Sequence, residues 1–189
     1  MTLEELRNEA KRAKDCIWQA ARGLGRDPKI YLHWLDGPYD LLDSDYHICI
    51  KDDGSVHKMH PLDDIVSATY MRNTGSVSIA ITGCLGAKGW TDGRRDLGQY
   101  PPTDAQIECL AQLVAVITSE LGIPIDLNHV MTHAEAADNA DGIWACEPYG
   151  PNSPCCERWD LAVLGADDAW GTGGDTIRGK ALFYRNQGV

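Results

Sequence analysis

Lys-Ile-Tyr-Leu-His-Trp, residues 29–34, decides the fold of this chain, because it is a short apolar run that predicts a buried strand. His33 lies near its end. A second run, His-Val-Met-Thr-His at 129–133, predicts another strand and ends in His133, and Asp160 follows in Arg-Trp-Asp-Leu. Two imidazoles and one carboxylate are typical of a zinc site that keeps its fourth position open for catalysis. The sequence therefore predicts metal-assisted hydrolysis of an unreactive bond.

Capping boxes, turn residues and hydrophobic periodicity predict the other elements. They are a helix over 2–22, a hairpin over 46–59, a strand over 76–82, a surface loop over 83–102, a helix over 103–121 and a last helix from 173, with Asp175 as its N-cap. Strands and helices are interspersed, without a repeat or a linker. This order predicts a single α/β domain over residues 1–189, with a mixed central sheet flanked by helices.

Composition and charge exclude several classes of partner. The chain has 189 residues, of which 43% are hydrophobic and 24% charged, and its formal net charge is −11. An acidic protein gains nothing from the phosphates of nucleic acid or from an anionic membrane surface. No stretch has the length of a transmembrane span. We therefore expect neither nucleic-acid binding nor membrane insertion, and no obligatory protein partner is evident.

Seven cysteines are scattered along the chain without a Cys-x-x-Cys pair, and this predicts reduced thiols that are mostly buried. The exceptions are Cys146, Cys155 and Cys156, which share a loop rich in Pro and Gly. They are close enough in sequence to form a disulfide or to bind a metal. The sequence favours free thiols over a disulfide among these three.

The order of the motifs leads to a family. Tyr-His precedes an Asp-Gly hairpin, followed by Asn-Thr-Gly-Ser-Val-Ser-Ile-Ala, a Thr-x-x-Gln helix, Thr-His-Ala-Glu and finally Arg-Trp-Asp. This order resembles the zinc-dependent N-acetylmuramoyl-L-alanine amidases of the amidase-2 family, whose fold is shared by peptidoglycan recognition proteins. The resemblance covers most of residues 29–165, with helices flanking this core on both sides.

The resemblance implies a ligand set for one Zn²⁺ per chain. Its first ligand matches His33, its second matches His133 followed by Glu135, and its third matches Asp160. Glu135 is expected to orient the His133 ring without itself binding the metal. The stretch between His133 and Asp160 is longer than in the family, so Cys156 remains an alternative third ligand.

The resemblance also implies catalytic and substrate-binding residues. Tyr46 matches a tyrosine that assists catalysis, and Arg158 stands where the family usually has lysine. Arginine cannot donate a proton at neutral pH, but it can stabilise an oxyanion. Ala80 occupies the position of a catalytic glutamate in other members, so this chain should depend on Tyr46. Arg72 and Asn73 are candidates for contacting sugar or peptide, although a turn built on Asn-Thr-Gly explains them equally well.

The function implied is hydrolysis of the amide between N-acetylmuramic acid and L-alanine in peptidoglycan. The first twenty residues form a charged helix rather than a signal peptide, which predicts synthesis in the cytoplasm and action on the wall after the membrane is breached, as in a phage endolysin. Three rivals remain: a cytoplasmic amidase that recycles muropeptides, a recognition module that binds without cleaving, and a toxin directed at competing bacteria.

Overall fold

A computed structural model of the chain describes residues 1–138, 140, 143 and 158–189. Helices and strands are interspersed along these residues, with six strands in succession between the first two helices. The elements are α1 (Leu3–Gly23), β1 (Lys29–Trp34), β2 (Ile48–Ile50), β3 (Val56–Lys58), β4 (Ser76–Ile81), β5 (Lys88–Gly89), β6 (Arg95–Asp96), α2 (Asp104–Leu121), β7 (Val130–Thr132), α3 (His133–Ala137) and α4 (Gly173–Asn186). The predicted fold class, a mixed sheet flanked by helices, is confirmed.

The central sheet has the strand order β3-β2-β4-β1-β7. Strands β2, β4, β1 and β7 run parallel, and β3 pairs with β2 in the antiparallel hairpin that the Asp-Gly turn predicts. Strand β1 lies between β4 and β7, and all six of its residues are buried. A parallel strand in this position is covered on both faces, which explains the continuous apolar run at residues 29–34.

The two faces of the central sheet pack against different groups of residues. Ile30 and Leu32 of β1 belong to the large apolar core, which also contains residues of α1, α2 and α4. Tyr31 belongs to a separate small cluster with Met131. Because successive side chains of a strand point to opposite faces, His33 lies on the Tyr31 face. The site of interest is therefore on the face opposite the main helical core.

Helix ends follow the sequence signals at α1 and α2 but not at α4. Capping boxes begin α1 and α2, and Gly122 ends α2 in the left-handed conformation with φ 74°. The N-cap of α4 is Thr172, without a side-chain cap, so the prediction of Asp175 was wrong. Asp175 lies in the first turn instead, where it accepts a hydrogen bond from Arg178 at 2.6 Å.

Two other predictions differ in detail. Strand β7 ends at Thr132, so His133 begins α3 rather than ending the strand. The predicted surface loop 83–102 contains the small hairpin β5–β6. Strands this short leave no alternating pattern in a sequence. The hairpin matters for the site because Gly89 packs flat against Trp159, where a Cβ would crowd the indole ring.

Cys16, Cys49, Cys84 and Cys109 are free thiols, as predicted. Cys146, Cys155 and Cys156 lie outside the described residues, and so does the question of their pairing. Among the helices that the structure describes, none combines the length and apolar character that crossing a membrane requires.

Candidate metal centre

The sheet itself brings the two histidines together. Strands β1 and β7 are parallel neighbours, with Leu32 paired to Thr132. The next residue in the chain after each of this pair is a histidine. His33 and His133 therefore meet at the carboxyl edge of the sheet. Ligand sites of open α/β sheets lie at this edge. The pairing register of β1 and β7 therefore sets the position of both imidazoles.

The three predicted ligands converge on one point. Nδ1 of His33 lies 3.2 Å from Nδ1 of His133, which lies 3.2 Å from Oδ2 of Asp160. The remaining side of this triangle, from His33 Nδ1 to Asp160 Oδ2, measures 3.4 Å. With metal–ligand distances of about 2.0–2.1 Å, tetrahedral geometry places ligand atoms about 3.3 Å apart. The triangle therefore fits one face of a zinc tetrahedron.

Burial and charge also suit a cation. His33, His133 and Asp160 are all buried, with His33 inaccessible to solvent. Burial alone would raise the pKa of Asp160, but His133 and His33 outweigh it and hold that pKa below its ordinary value. The carboxylate therefore carries its charge at neutral pH. A buried charge of this kind requires a partner of opposite sign.

Asp160 is held from two sides. Its carbonyl oxygen accepts a 3.4 Å hydrogen bond from the backbone N–H of Ala134 in α3. Two residues further on, the carbonyl of Ala162 accepts one from Gly173 at the start of α4. Between them, Leu161 adopts the left-handed conformation with φ 59°, which costs a side-chain-bearing residue roughly 1–2 kcal/mol. Backbone strain of this kind concentrates at functional sites.

Glu135 supports His133 through the backbone. It closes a capping box at the start of α3 by accepting the Thr132 N–H at 2.8 Å. Its carboxylate also accepts two hydrogen bonds from Arg178, at 2.9 and 2.8 Å. A Cβ on Gly174 would overlap this carboxylate, so glycine allows α4 to approach. Glu135 thus anchors the helix that His133 begins, and Arg178 is a supporting residue that the sequence analysis missed.

Thr69 is the other residue that the sequence analysis missed. Its hydroxyl oxygen lies 3.0 Å from Nε2 of His33, and the residue is fully buried. It belongs to the irregular segment between β3 and β4. A single threonine in a segment without periodicity gives no sequence signal that it meets a histidine so far away in the chain.

An open groove is bordered by two of the three ligands, His133 and Asp160. Its volume is about 640 Å³, and its lining includes Trp34, Tyr46, Trp90, His133, Arg158 and Trp159. Trp159 packs edge-on against Trp34 at 4.6 Å between ring centroids, which makes a rigid wall beside Asp160. The groove thus combines aromatic surface with a few convergent polar groups, as ligand sites usually do.

Tyr46 and Arg158 both reach this groove. The Tyr46 ring lies 5.1 Å from that of His33, and within the described part of the chain its hydroxyl makes no hydrogen bond. Burial, and then the negative charge of Asp160, raise the pKa of Tyr46, so the hydroxyl keeps its proton at neutral pH. Arg158 is half-buried and borders both this groove and a smaller cavity beside it.

Arg72 lines neither the groove nor the smaller cavity beside it, and its role in substrate binding stays a prediction. Its side chain is fully buried, and its guanidinium donates to the carbonyl oxygens of Tyr70 and Ile143, the latter at 2.6 Å. Asn73 has a mixed position. Its side-chain oxygen accepts the Thr69 N–H at 2.7 Å, and the residue also borders the smaller cavity, of about 280 Å³. The turn accounts for the contacts of Arg72, whereas Asn73 both supports the turn and borders the cavity.

Two imidazole nitrogens and a carboxylate oxygen, buried at the floor of an open groove on the carboxyl edge of a sheet, are typical of a metal-dependent hydrolase. The N-acetylmuramoyl-L-alanine amidase family model matches residues 7–147. This is well over half of the chain, and the chain therefore belongs to that family of peptidoglycan amidases, as the motif order indicates. The match contains His33 and His133 and ends before Asp160. A search of curated proteins and a search of solved structures each found no significant match.

Proposed function

We propose that this amidase cleaves the bond between N-acetylmuramic acid and L-alanine with one Zn²⁺, held by Nδ1 of His33, Nδ1 of His133 and Oδ2 of Asp160. The observation that carries the proposal is the triangle of 3.2, 3.2 and 3.4 Å between these atoms. Two neutral imidazoles and one carboxylate leave a bound divalent cation with net positive charge. That charge favours a substrate carbonyl oxygen that becomes negative during hydrolysis.

When bound, zinc supplies Lewis acidity, which activates water for attack and polarises the amide carbonyl. The residues of this chain supply the remaining functions. Tyr46 offers a protonated hydroxyl at the groove beside His33, so it can donate to the developing oxyanion and relay a proton from the attacking water to the leaving amide nitrogen. Arg158 adds a fixed positive charge on the His133 side of the groove.

His47 follows Tyr46 in the chain but is not available to carry a proton. Its Nδ1 accepts the Ser78 N–H at 3.0 Å, and its Nε2 donates to the Asp64 carbonyl at 3.1 Å. Both nitrogens are thus engaged by the backbone, and His47 is not among the residues that line the groove. Tyr46 is therefore the residue that we assign to proton delivery, in agreement with alanine at position 80.

We further propose that the substrate is polymeric wall material, as for an endolysin. The groove of about 640 Å³ and the cavity of about 280 Å³ both border His133 and Arg158. Space is thus available on two sides of the proposed metal position. The muramic sugar and the stem peptide continue in opposite directions from the scissile amide, so a wall strand could occupy both spaces.

Mass spectrometry of purified peptidoglycan after incubation with the protein tests the reaction. Stem peptides with a free amino-terminal L-alanine are expected, and new reducing sugar ends would instead indicate a glycosidase. Binding to the wall without release of peptides would support the recognition module. Equal rates on soluble muropeptides and on intact walls would favour a recycling amidase over an endolysin.

Metal analysis of variants tests the ligand set. His33→Ala and Asp160→Ala should each remove most of the zinc from the purified protein. Cys156→Ala is the matched comparison for the third ligand. Zinc that survives in Asp160→Ala but is lost in Cys156→Ala would assign the cysteine in place of the aspartate.

A further inference from the structure

We infer that Thr69 is a positioning residue for the metal centre, because its hydroxyl holds the His33 ring with Nδ1 directed at the other two ligands. This inference rests on the proposed zinc site and adds a residue that belongs to neither the ligands nor the groove. The observation is the 3.0 Å distance between Thr69 Oγ1 and His33 Nε2, with both side chains fully buried.

The chemistry of imidazole explains the role. A neutral imidazole carries one hydrogen, on Nδ1 or on Nε2. A His33 that ligates through Nδ1 must carry its hydrogen on Nε2. That buried N–H needs an acceptor, which Thr69 Oγ1 provides. The hydrogen bond therefore stabilises the tautomer that leaves the Nδ1 lone pair free for a metal, and it fixes the rotation of the ring.

The backbone of Thr69 is itself tightly held. Its N–H donates to the side-chain oxygen of Asn73 at 2.7 Å, and its carbonyl accepts the Arg72 N–H at 3.0 Å. The carbonyl of Arg72 in turn accepts hydrogen bonds from Ser76 at 2.7 Å and from Arg26 at 3.0 Å. This turn thus joins the start of β4 to the Thr69 hydroxyl. A rigid support of this kind is what keeps a metal ligand in place.

The turn also reaches the substrate side. Tyr70, Met71 and Asn73 border the smaller cavity beside the groove, together with His133 and Arg158. Met71 is exposed and adopts the left-handed conformation with φ 56°. The turn that contains Thr69 therefore contacts His33 and also borders the cavity in which part of a ligand could bind.

The test is the zinc affinity of Thr69→Val, measured by competition with a coloured chelator in the absence of peptidoglycan. Valine keeps the shape and removes the hydroxyl, so the affinity should fall by about 10–100-fold. Thr69→Ser keeps the hydroxyl and should bind zinc almost as tightly as the unchanged protein. The matched control is Thr118→Val, because Thr118 is equally buried and its hydroxyl bonds, among the described residues, to the α2 carbonyls of Val114 and Ala115.

The melting temperature of the metal-free variants separates positioning from folding. Thr69→Val and Thr118→Val should both lower it, but only Thr69→Val should weaken zinc binding. A folded Thr69→Val that binds zinc as tightly as the unchanged protein overturns the inference. If Thr69→Val does not fold, Thr69→Ala is compared with Thr69→Ser, and equal zinc affinities overturn it in the same way.

These outcomes are distinct from a failure of the proposed function. Zinc binding that depends on Thr69, without release of stem peptides from the wall, contradicts only the proposed reaction. Release of stem peptides with equal zinc affinity in Thr69→Val and Thr69→Ser contradicts only the role of Thr69. A protein that binds no zinc at all contradicts both.

Discussion

His33 and His47 are both fully buried on the same sheet, yet their surroundings differ completely. Each ring nitrogen of His47 has a backbone partner with a fixed role, Ser78 N–H as donor and Asp64 carbonyl as acceptor. His33 instead directs Nδ1 at the Nδ1 of His133, 3.2 Å away, and at the carboxylate of Asp160. Burial alone therefore does not distinguish a structural histidine from a ligand.

The difference lies in what each arrangement needs. His47 is complete as a neutral imidazole with its hydrogen on Nε2, so no cation is required. When both Nδ1 atoms carry lone pairs, or both carry hydrogens, they repel each other at 3.2 Å. A shared proton or a metal between two lone pairs removes this repulsion. A nearby carboxylate then selects a cation. The comparison predicts that metal dependence should belong to His33 and not to His47.

The largest expected effect comes from removing the ligand. His33→Ala should reduce bound zinc from one per chain to almost none and reduce amide hydrolysis to background, because catalysis depends on the Lewis acid. His47→Asn is the matched control, since the amide oxygen can accept the Ser78 N–H in place of Nδ1. Elemental analysis and stem-peptide release measure both properties.

His47→Asn should keep its zinc and most of its turnover while melting at a lower temperature, because a buried hydrogen bond to Asp64 is lost or weakened. A loss of zinc in His47→Asn equal to that in His33→Ala, in a protein that remains folded, would remove the distinction between the two histidines.

The second effect concerns Tyr46, which precedes His47 in the chain but packs against His33. Tyr46→Phe keeps the ring and removes the hydroxyl, and loss of one oxyanion donor typically lowers kcat by about 10²–10³-fold. Zinc content should not change. Tyr184→Phe is the control, because its hydroxyl bonds to Glu108 between α4 and α2, away from the groove. Normal turnover in Tyr46→Phe would make Tyr46 a packing residue only.

The same contrast explains how far the sequence could be interpreted. The apolar run 29–34 and the run 129–133 each predict a strand that carries a histidine, and the capping boxes predict α1 and α2. These signals are local, so a single sequence contains them. The convergence of His33 with His133 then follows from parallel pairing alone.

What could not be predicted depends on contacts across irregular segments. Thr69 and Arg72 lie in a segment without periodicity, and no pattern indicates that one supports His33 while the other is buried. Asp175 resembles an N-cap, but Gly173 and Gly174 let the helix begin earlier, against Leu161 and Glu135. Close approach of this kind is a property of tertiary packing and not of local sequence.

A smaller effect should appear in the pH dependence of folding. Burial lowers the pKa of His47, so the folded protein resists protonation that the unfolded chain accepts below about pH 6.5. The stability that His47 contributes is therefore complete above that pH and is lost as the pH falls towards the folded pKa. Urea unfolding of metal-free protein between about pH 8 and about pH 5 measures the slope.

His47→Asn isolates this contribution, because the variant retains His33 and His133 and any pH dependence that they cause. Its free energy of unfolding should fall less steeply over the same pH range than that of the unchanged protein. Parallel pH profiles for the two proteins would show that His47 is not the source of the slope.

The smallest expected effect is that of salt on wall hydrolysis, and it concerns the surface rather than either histidine. With a net charge of −11, the protein should be repelled by anionic wall polymers within a Debye length, about 8 Å at physiological salt.

Arg94 and Arg95 do not form a free basic patch, since Arg94 pairs with Asp92 over the Trp90 ring and Arg95 donates to carbonyls of Gly93 and Asp168. Hydrolysis of intact walls should therefore hold or rise modestly from low to moderate salt, whereas cleavage of a soluble muropeptide should change less. A steep loss of wall hydrolysis with added salt would mean that attraction by a local basic surface, and not the groove around His33, brings the enzyme to the wall.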